Sequence, residues 1–203
     1  MIGTGSRPVV AVSQRVDVIA VRHEWRDALD QRLMQWLSEA GALPVPVPNP
    51  LGAVLSEWCE AIQPGAIVLS GGNDVGQSVD RDTTERYLLD YAWGHDLPVL
   101  GVCRGMQMMN VWAGGDLIPV NGHVGTRHQL SGSMDGQVNS YHSFGITACP
   151  AGFVVLARAE DGGVEAIGHA DRPWEGWMWH PERETEFVPE HIDRLRRLFG
   201  IRS

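Results

Sequence analysis

Cys103 stands in the segment L-P-V-L-G-V-C-R-G-M-Q-M-M-N, residues 97–110. The apolar run Val99–Val102 leads into it, and Met106–Trp112 beyond it has helical spacing, so the segment reads as strand, sharp turn and helix. In the frame G-V-C-R-G, Gly101 and Gly105 leave room for a strained turn that lifts one side chain above the sheet, the arrangement of a nucleophile elbow. A thiol there suits attack on a carbonyl carbon. A small buried residue at a strand end has the same local pattern, because free cysteine is among the most buried residue types. Cys103 alone leaves both readings open.

A thiol nucleophile needs a base near it in space and a third group to hold the base's tautomer, with no requirement for sequence adjacency. Among the eight histidines, His180 ends the apolar run W-M-W-H-P-E. Pro181 forces a turn there, and Glu182 is spaced to bring its carboxylate back onto the imidazole. A strand-end histidine beside a surface glutamate would look the same. His142, in V-N-S-Y-H-S-F-G, has no carboxylate within several residues and suits a substrate contact or a satisfied core polar group. His123 and His128, in G-H-V-G-T-R-H, have a spacing that suggests a metal site, but no cysteine or close carboxylate joins them in sequence, so no metal is expected. His23, His95, His169 and His191 read as exposed or capping groups. An oxyanion needs backbone N–H donors. The N–H of Arg104 at the elbow is one; Gly72, in the S-G-G-N turn after the apolar run Ala66–Leu69, offers a second, although a plain turn explains the glycine pair equally.

These residues must be positioned by regular elements. Pro8–Ser13 reads as a buried first strand. Trp25, Leu29, Leu33, Trp36, Leu37 and Ala40 recur at helical spacing, so a helix with an inward Trp stripe is expected from Trp25, capped by Gly41. Leu43–Asn49 carries Pro44, Pro46 and Pro48, none of which donates an N–H, which places it at a sheet edge. A helix over 51–62, the strand Ala66–Leu69 and a helix over 82–93, entered through an Asp82/Glu85 capping box, lead to the elbow. After Gly114 and Gly115 come short β-like pieces: Leu117–Val120, Gln137–Tyr141, Phe153–Ala157, Val164–His169 and Gly176–Trp179. A helix from Pro189 to Phe199 follows, with Arg194, Arg196 and Arg197 toward its C-terminal end, where they suit the helix dipole. The fold class is therefore α/β: a mostly parallel central sheet with helices on both faces plus a small antiparallel β layer, read as one domain over 1–203, with the ligand crevice at the carboxyl ends of the parallel strands.

Composition removes several classes of partner. A net charge of −9 without any Lys/Arg run argues against nucleic acid and anionic membranes, both of which require clustered positive charge. No apolar stretch is long enough to span a bilayer, and M-I-G-T-G-S-R-P lacks a signal-peptide core. Three irregularly spaced cysteines form no C-x-x-C pair, so reduced thiols and a cytoplasmic location are expected.

Taken together, S-G-G-N-D (70–74), D-R-D-x-x-E (80–85), the elbow segment (97–110), G-G-x-L (114–117), V-N-S-Y-H (138–142) and W-H-P-E (179–182) resemble the class I glutamine amidotransferase-like superfamily, and within it the γ-glutamyl hydrolase branch. The resemblance implies Cys103 as nucleophile, His180 as base and Glu182 as its orienter, with the N–H groups of Gly72 and Arg104 as oxyanion hole. It further implies Gln107 and the segment Asn139–His142, with Ser140, Tyr141 and His142, as the border of a glutamyl pocket that Asn73 of the S-G-G-N-D motif adjoins. It implies no cofactor, a small γ-glutamyl substrate and hydrolysis through a glutamyl thioester. The chain departs from the family where many relatives carry Gln two residues before the histidine; here Met178 stands. Its 203 residues are also few for the hydrolase branch. M-W-H-P-E-R-E with S-G-G-N-D looks more like members found with capsule or lipopolysaccharide biosynthesis genes, whose substrates include γ-glutamyl nucleotide amidates; γ-glutamyl-aminobutyrate and other γ-glutamyl amines stay open. A glutaminase subunit that passes ammonia to a separate synthase is the alternative, a silent binding module the third reading, and a homodimer is compatible with all three.

Overall fold

Short apolar runs whose side chains must all be covered build the centre of the molecule. The computed structural model describes residues 7–202. In chain order, β1 (Val9–Ser13), β2 (Arg15–Ile19), β3 (Glu24–Ala28), α1 (Gln31–Glu39), β4 (Leu43–Val47), α2 (Leu55–Ile62), β5 (Ala66–Leu69), α3 (Val79–Gly94), β6 (Val99–Val102) and α4 (Arg104–Trp112) are followed by a β-rich remainder. That remainder comprises β7 (Ile118–Pro119), β8 (Val124–Gly132), β9 (Gly136–Tyr141), β10 (Phe144–Gly145), β11 (Phe153–Arg158), β12 (Val164–His169), β13 (Trp174–Trp177) and the closing helix α5 (Pro189–Leu198).

One nine-stranded sheet runs in the order β4-β1-β5-β6-β13-β12-β11-β8-β9. It is parallel from β4 through β13 and antiparallel beyond. Alternate residues of the inner strands feed two cores. Val10 and Val12 of β1 and Ala66 and Val68 of β5 join Trp36 and Leu37 of α1 and Leu195 of α5 on one face. Ala11, Ile67 and Leu69 meet Cys59 of α2, Leu88 and Leu89 of α3 and Met106 and Met109 of α4 on the other. Cover on both faces is why these strands are continuously apolar rather than alternating. The proline-bearing β4 lies at the edge, as its missing donors require. Among the described residues no helix is long and apolar enough to cross a membrane.

The structure corrects the first helix. It starts at Gln31, where the Asp30 carboxylate accepts the Arg32 N–H at 2.9 Å, and not at Trp25. Residues 15–28 instead form an antiparallel hairpin, with Val18 opposite Trp25. Trp25 is 70% exposed there, so of the two tryptophans expected to face inward only Trp36 is core, together with Leu33, Leu37 and Ala40. R-V-D-V alternates for only four residues and E-W-R-D-A has no period of two; the hairpin buries neither face fully, and Trp25 and Leu29 fall into helical spacing by coincidence. Two asparagines pin it. Asn73 accepts the Val16 N–H at 2.7 Å and donates to the Val16 carbonyl at 2.9 Å, imitating a strand partner. Asn49 donates to Asp27 at 2.7 Å and to the Gln14 carbonyl at 3.0 Å.

The capping box is likewise corrected. α3 starts at Val79; Asp82, within its first turn, accepts the Gly76 N–H at 2.8 Å, and Glu85 is buried among ion-pair partners. The final inner strand spans Trp174–Trp177, two residues earlier than expected, and β8 forms where no strand was anticipated, because most of its side chains are exposed.

Candidate active site

Strand β6 ends at Val102, and the chain turns into α4 through Cys103 at φ +51°, ψ −106°. A side-chain-bearing residue rarely occupies that region, and holding it there costs about 1–3 kcal/mol. The turn closes only because its flanks are glycine. A Cβ on Gly101 would stand 2.6 Å from the Gly105 backbone, and one on Gly105 would stand 2.1 Å from the Leu69 carbonyl oxygen of β5. The Cys103 N–H donates to the Trp177 carbonyl at 2.7 Å, which ties the elbow to the end of β13. Arg104 opens α4, so its N–H is one of those that a helix leaves without an intrahelical partner.

His180 comes from the end of the adjacent strand. Its Nδ1 lies 2.7 Å from Glu182 Oε1, and both side chains are buried. Asn139 of β9 grips the same residue at both backbone groups: its Oδ1 accepts the His180 N–H at 3.0 Å and its Nδ2 donates to the His180 carbonyl at 2.8 Å. With Nδ1 taken by Glu182, the other ring nitrogen is left for the Cys103 thiol. Burial works to lower the imidazole's pKa, but hydrogen bonds to Cys103 and Glu182 and their charges prevail and raise it to about 9. Below that pH the imidazole is a cation held between Cys103 and Glu182, placed to pass a proton to a group bound beside the sulfur.

Gly71 makes the approach of His180 feasible: a Cβ there would stand 2.5 Å from His180 Cε1. Gly71 lacks a positive φ, so alanine fits its backbone and acts only by pushing the ring. Gly71→Ala is therefore expected to fold and to lose about 100-fold in turnover, the scale of an ångström-sized misplacement; glutamate release together with circular dichroism checks it.

A buried ion network sets the S-G-G turn against the elbow. Arg81 Nε donates to Glu85 Oε1 at 2.8 Å, where Ser13 Oγ also donates at 2.7 Å. The Arg104 guanidinium pairs with Glu85 and Asp82. Burial pulls Arg81 down to about 10 and Arg104 down to about 9, each opposed by the nearby Asp82, so both stay cationic at neutral pH. Arg81 Nη2 donates to the carbonyls of Ser70 at 2.6 Å and Gly71 at 3.1 Å. In a trans peptide N–H and C=O point oppositely, so fixing the Gly71 carbonyl on Arg81 aims the Gly72 N–H away from that arginine. Gly72 itself sits at φ +98°, where a Cβ would meet Arg15 at 3.0 Å.

The remaining expected residues divide. Tyr141 stands edge-on to His180 with ring centroids 6.0 Å apart. Gln107 is buried and donates to the Phe144 carbonyl at 2.8 Å and to Met178 Sδ at 3.7 Å, so the departure at Met178 falls directly on Gln107. Asn73 is engaged by the hairpin. Ser140 donates to the His123 carbonyl at 2.7 Å, and His142 Nδ1 lies 2.9 Å from the Phe144 carbonyl, so both are held within the antiparallel layer. The sequence-level dismissal of His123 and His128 is corrected in one respect: a carboxylate, Glu165 of β12, does join them in space. Gly71, Arg81 and the double grip of Asn139 were not singled out from sequence, where only the motifs containing them were visible, and Glu85 was read there as a helix cap. A cavity of about 250 Å³ opens beside His180 and the Gly71–Gly72 turn, bordered by Arg15 and Asp17 of the hairpin, by Asp30 and by Arg183.

The arrangement can perform nucleophilic acyl transfer at a carbonyl. The family described as glutamine amidotransferase class-I matches residues 24–193. The "Gamma-glutamyl-CDP-amidate hydrolase" of Campylobacter jejuni is 34% identical over 143 residues, covering 67% of this chain and 70% of that protein. A glutamine-hydrolyzing GMP synthase subunit of Methanothrix thermoacetophila is 34% identical over 147 residues, covering 67% and 77%. The crystal structure of a protein described as "a putative gmp synthase subunit a protein" from Thermoplasma acidophilum superposes with a TM-score of 0.73 at 22% identity, over 96% of this chain and 94% of that one, a likeness of fold.

Proposed function

Since the chain belongs to the class I glutamine amidotransferase family, we propose that it is a cysteine hydrolase of that type that cleaves the γ-glutamyl amide bond of a small compound with a leaving group larger than ammonia. The observation that carries this reading is the line from Cys103 through His180 to Glu182 with the cavity beside it. The Cys103 thiolate attacks the γ-carbonyl carbon, and the oxyanion faces the N–H groups of Gly72 and Arg104. As the C–N bond breaks, His180 gives its proton to the departing nitrogen, leaving a glutamyl thioester. His180 then takes a proton from water, whose oxygen attacks the thioester; glutamate leaves and the thiol is restored. Glu182 holds the imidazole's tautomer throughout. Gln107 and Tyr141 border the glutamyl group.

The leaving group occupies the cavity, where Arg15 and Arg183 stand at the border. Two guanidinium groups suit phosphate oxygens, and the likeness to the Campylobacter jejuni protein favours a γ-glutamyl nucleotide amidate. Arg183 is stacked on Tyr141, 5.1 Å from the ring centroid. Arg183→Ala is expected to raise KM for a γ-glutamyl phosphoramidate about tenfold, the weight of one hydrogen bond to a charged group, and to leave KM for a neutral γ-glutamyl anilide unchanged; steady-state kinetics on the pair reads it.

The test of the function itself is a screen of γ-glutamyl amines, γ-glutamyl nucleotide amidates and glutamine against the lone chain, scored by glutamate release. Faster release from a substituted amide or amidate than from glutamine supports the hydrolase. Release from glutamine alone, rising when a co-purified synthase is present, would replace it with the ammonia-delivering role.

A further inference from the structure

Away from the cysteine, the antiparallel layer gathers chemistry that the proposed reaction does not use. His123 lies just before β8, His128 on β8, His142 just after β9 and Glu165 on β12. His123 Nε2 is 2.9 Å from Asp161 Oδ2, and His142 Nδ1 is 2.9 Å from the Phe144 carbonyl oxygen. An ionised carboxylate and a carbonyl only accept, so these two ring nitrogens carry the protons. Their other nitrogens, His123 Nδ1 and His142 Nε2, are the ones that present lone pairs to a ligand.

Those lone pairs face each other. His123 Nδ1 and His142 Nε2 are 3.2 Å apart, and they lie 3.3 and 3.4 Å from Glu165 Oε1. Glu165 is 1% exposed, and neither of its oxygens has a hydrogen-bond donor. His128 Nε2 is also buried without a partner, and one donor atom from each of His123, His128 and Glu165 lies within 4.8 Å of the others. A buried carboxylate facing two imidazole lone pairs is unfavourable unless a positive charge sits among them. Separations of 3.2–3.4 Å are the edges of a tetrahedron with corners about 2.0 Å from its centre, the length of a zinc–nitrogen or zinc–oxygen bond. The outer contacts match as well, since a metal-bound histidine ordinarily donates its second N–H to a carboxylate or carbonyl.

We propose that His123, His142 and Glu165, with His128 closing the fourth corner by a small side-chain shift, form a binding site for a divalent transition metal of the zinc type. Imidazole and carboxylate donors without thiolate favour such an ion. The site is structural. It clamps onto β12 the two ends of the β8–β9 hairpin, which are already tied to each other by the His142 N–H on the His123 carbonyl at 3.0 Å. The same hairpin carries Asn139, which holds His180, so metal loading steadies the active site without entering the reaction.

The test uses the full chain, stripped with a chelator and titrated with Zn2+ in a calorimeter. One equivalent per chain is expected, with a rise in Tm on zinc addition. Co2+ in its place should give tetrahedral d–d bands without a thiolate charge-transfer band. Cys103→Ser should keep the equivalent, and Glu165→Gln should weaken zinc binding by at least about 100-fold. Should Glu165→Gln fail to fold, the half-buried His128→Gln serves, with an expected loss of about tenfold. The proposal is overturned if the wild type takes up no zinc, which would leave a shared proton among these groups. It is equally overturned if the folded variants bind zinc as wild type does, or if Cys103→Ser abolishes uptake.

Discussion

Cys103→Ala is expected to lower kcat/KM for every γ-glutamyl substrate by about 10⁴-fold or more, the scale on which loss of a nucleophile in a cooperating triad is felt. The variant keeps a Cβ at φ +51° and removes one sulfur from a site that is 6% exposed, so folding and substrate affinity should change little. Glutamate release and equilibrium binding of the substrate, measured on the same preparation, separate the two effects. A structural cysteine would give the opposite pattern: altered stability with turnover preserved. The backbone argues for the first outcome, because the φ strain at Cys103 and the closure of Gly105 on the Leu69 carbonyl serve to present one side chain at the strand end and are unneeded for core packing.

Glu182→Gln is the second large effect. The amide keeps the size of the side chain but not its charge, and removes one of the causes that hold His180 at about 9. The imidazole's pKa then falls from about 9, less of the ring carries the proton destined for the leaving group, and the ring can settle in the wrong tautomer; a loss of about 10³–10⁴-fold in kcat is expected. In wild type, kcat/KM should decline on the alkaline side as pH rises through about 9, where His180 gives up the proton destined for the leaving group. In Glu182→Gln this limb should move to lower pH. The same shift bears on stability. A folded pKa raised from 6.5 to about 9 contributes stability that is fully present below pH 6.5 and lost as pH rises through about 9. Glu182→Gln should therefore flatten the decline of Tm between those limits. A pH–rate profile and a thermal series across pH 6–10 check both.

Much of the parallel half was legible because each strand is buried on both faces and so announces itself as an apolar run: Val9–Ser13, Ala66–Leu69 and Val99–Val102 all lie where the sequence placed them. The hairpin of residues 15–28 and strand β8 were not legible. β8 is largely solvated and the hairpin only half-buried, so no hydrophobic period beyond the four residues Arg15–Val18 marks them, and the hairpin is pinned by Asn49 and Asn73 reaching in from distant turns. In the candidate site, the elbow and the His-Pro-Glu turn are local patterns and could be read. The Arg81–Glu85–Arg104 network could not, since Asp82 and Glu85 satisfy the spacing of a helix cap and only the start of α3 at Val79 shows that they serve the interior. Glu165 was invisible as a companion of His123 for the same reason: the partnership spans β8 to β12 and leaves no spacing to detect.

The most direct measurement of the central claim is mass spectrometry of the lone chain, acid-quenched during turnover of a γ-glutamyl anilide and digested with protease. A glutamyl adduct is expected on the peptide containing Cys103, appearing within the first turnovers and decaying as free glutamate accumulates. Steady glutamate release with the Cys103 peptide unmodified at every quench time, or an adduct carried by another residue, would contradict it.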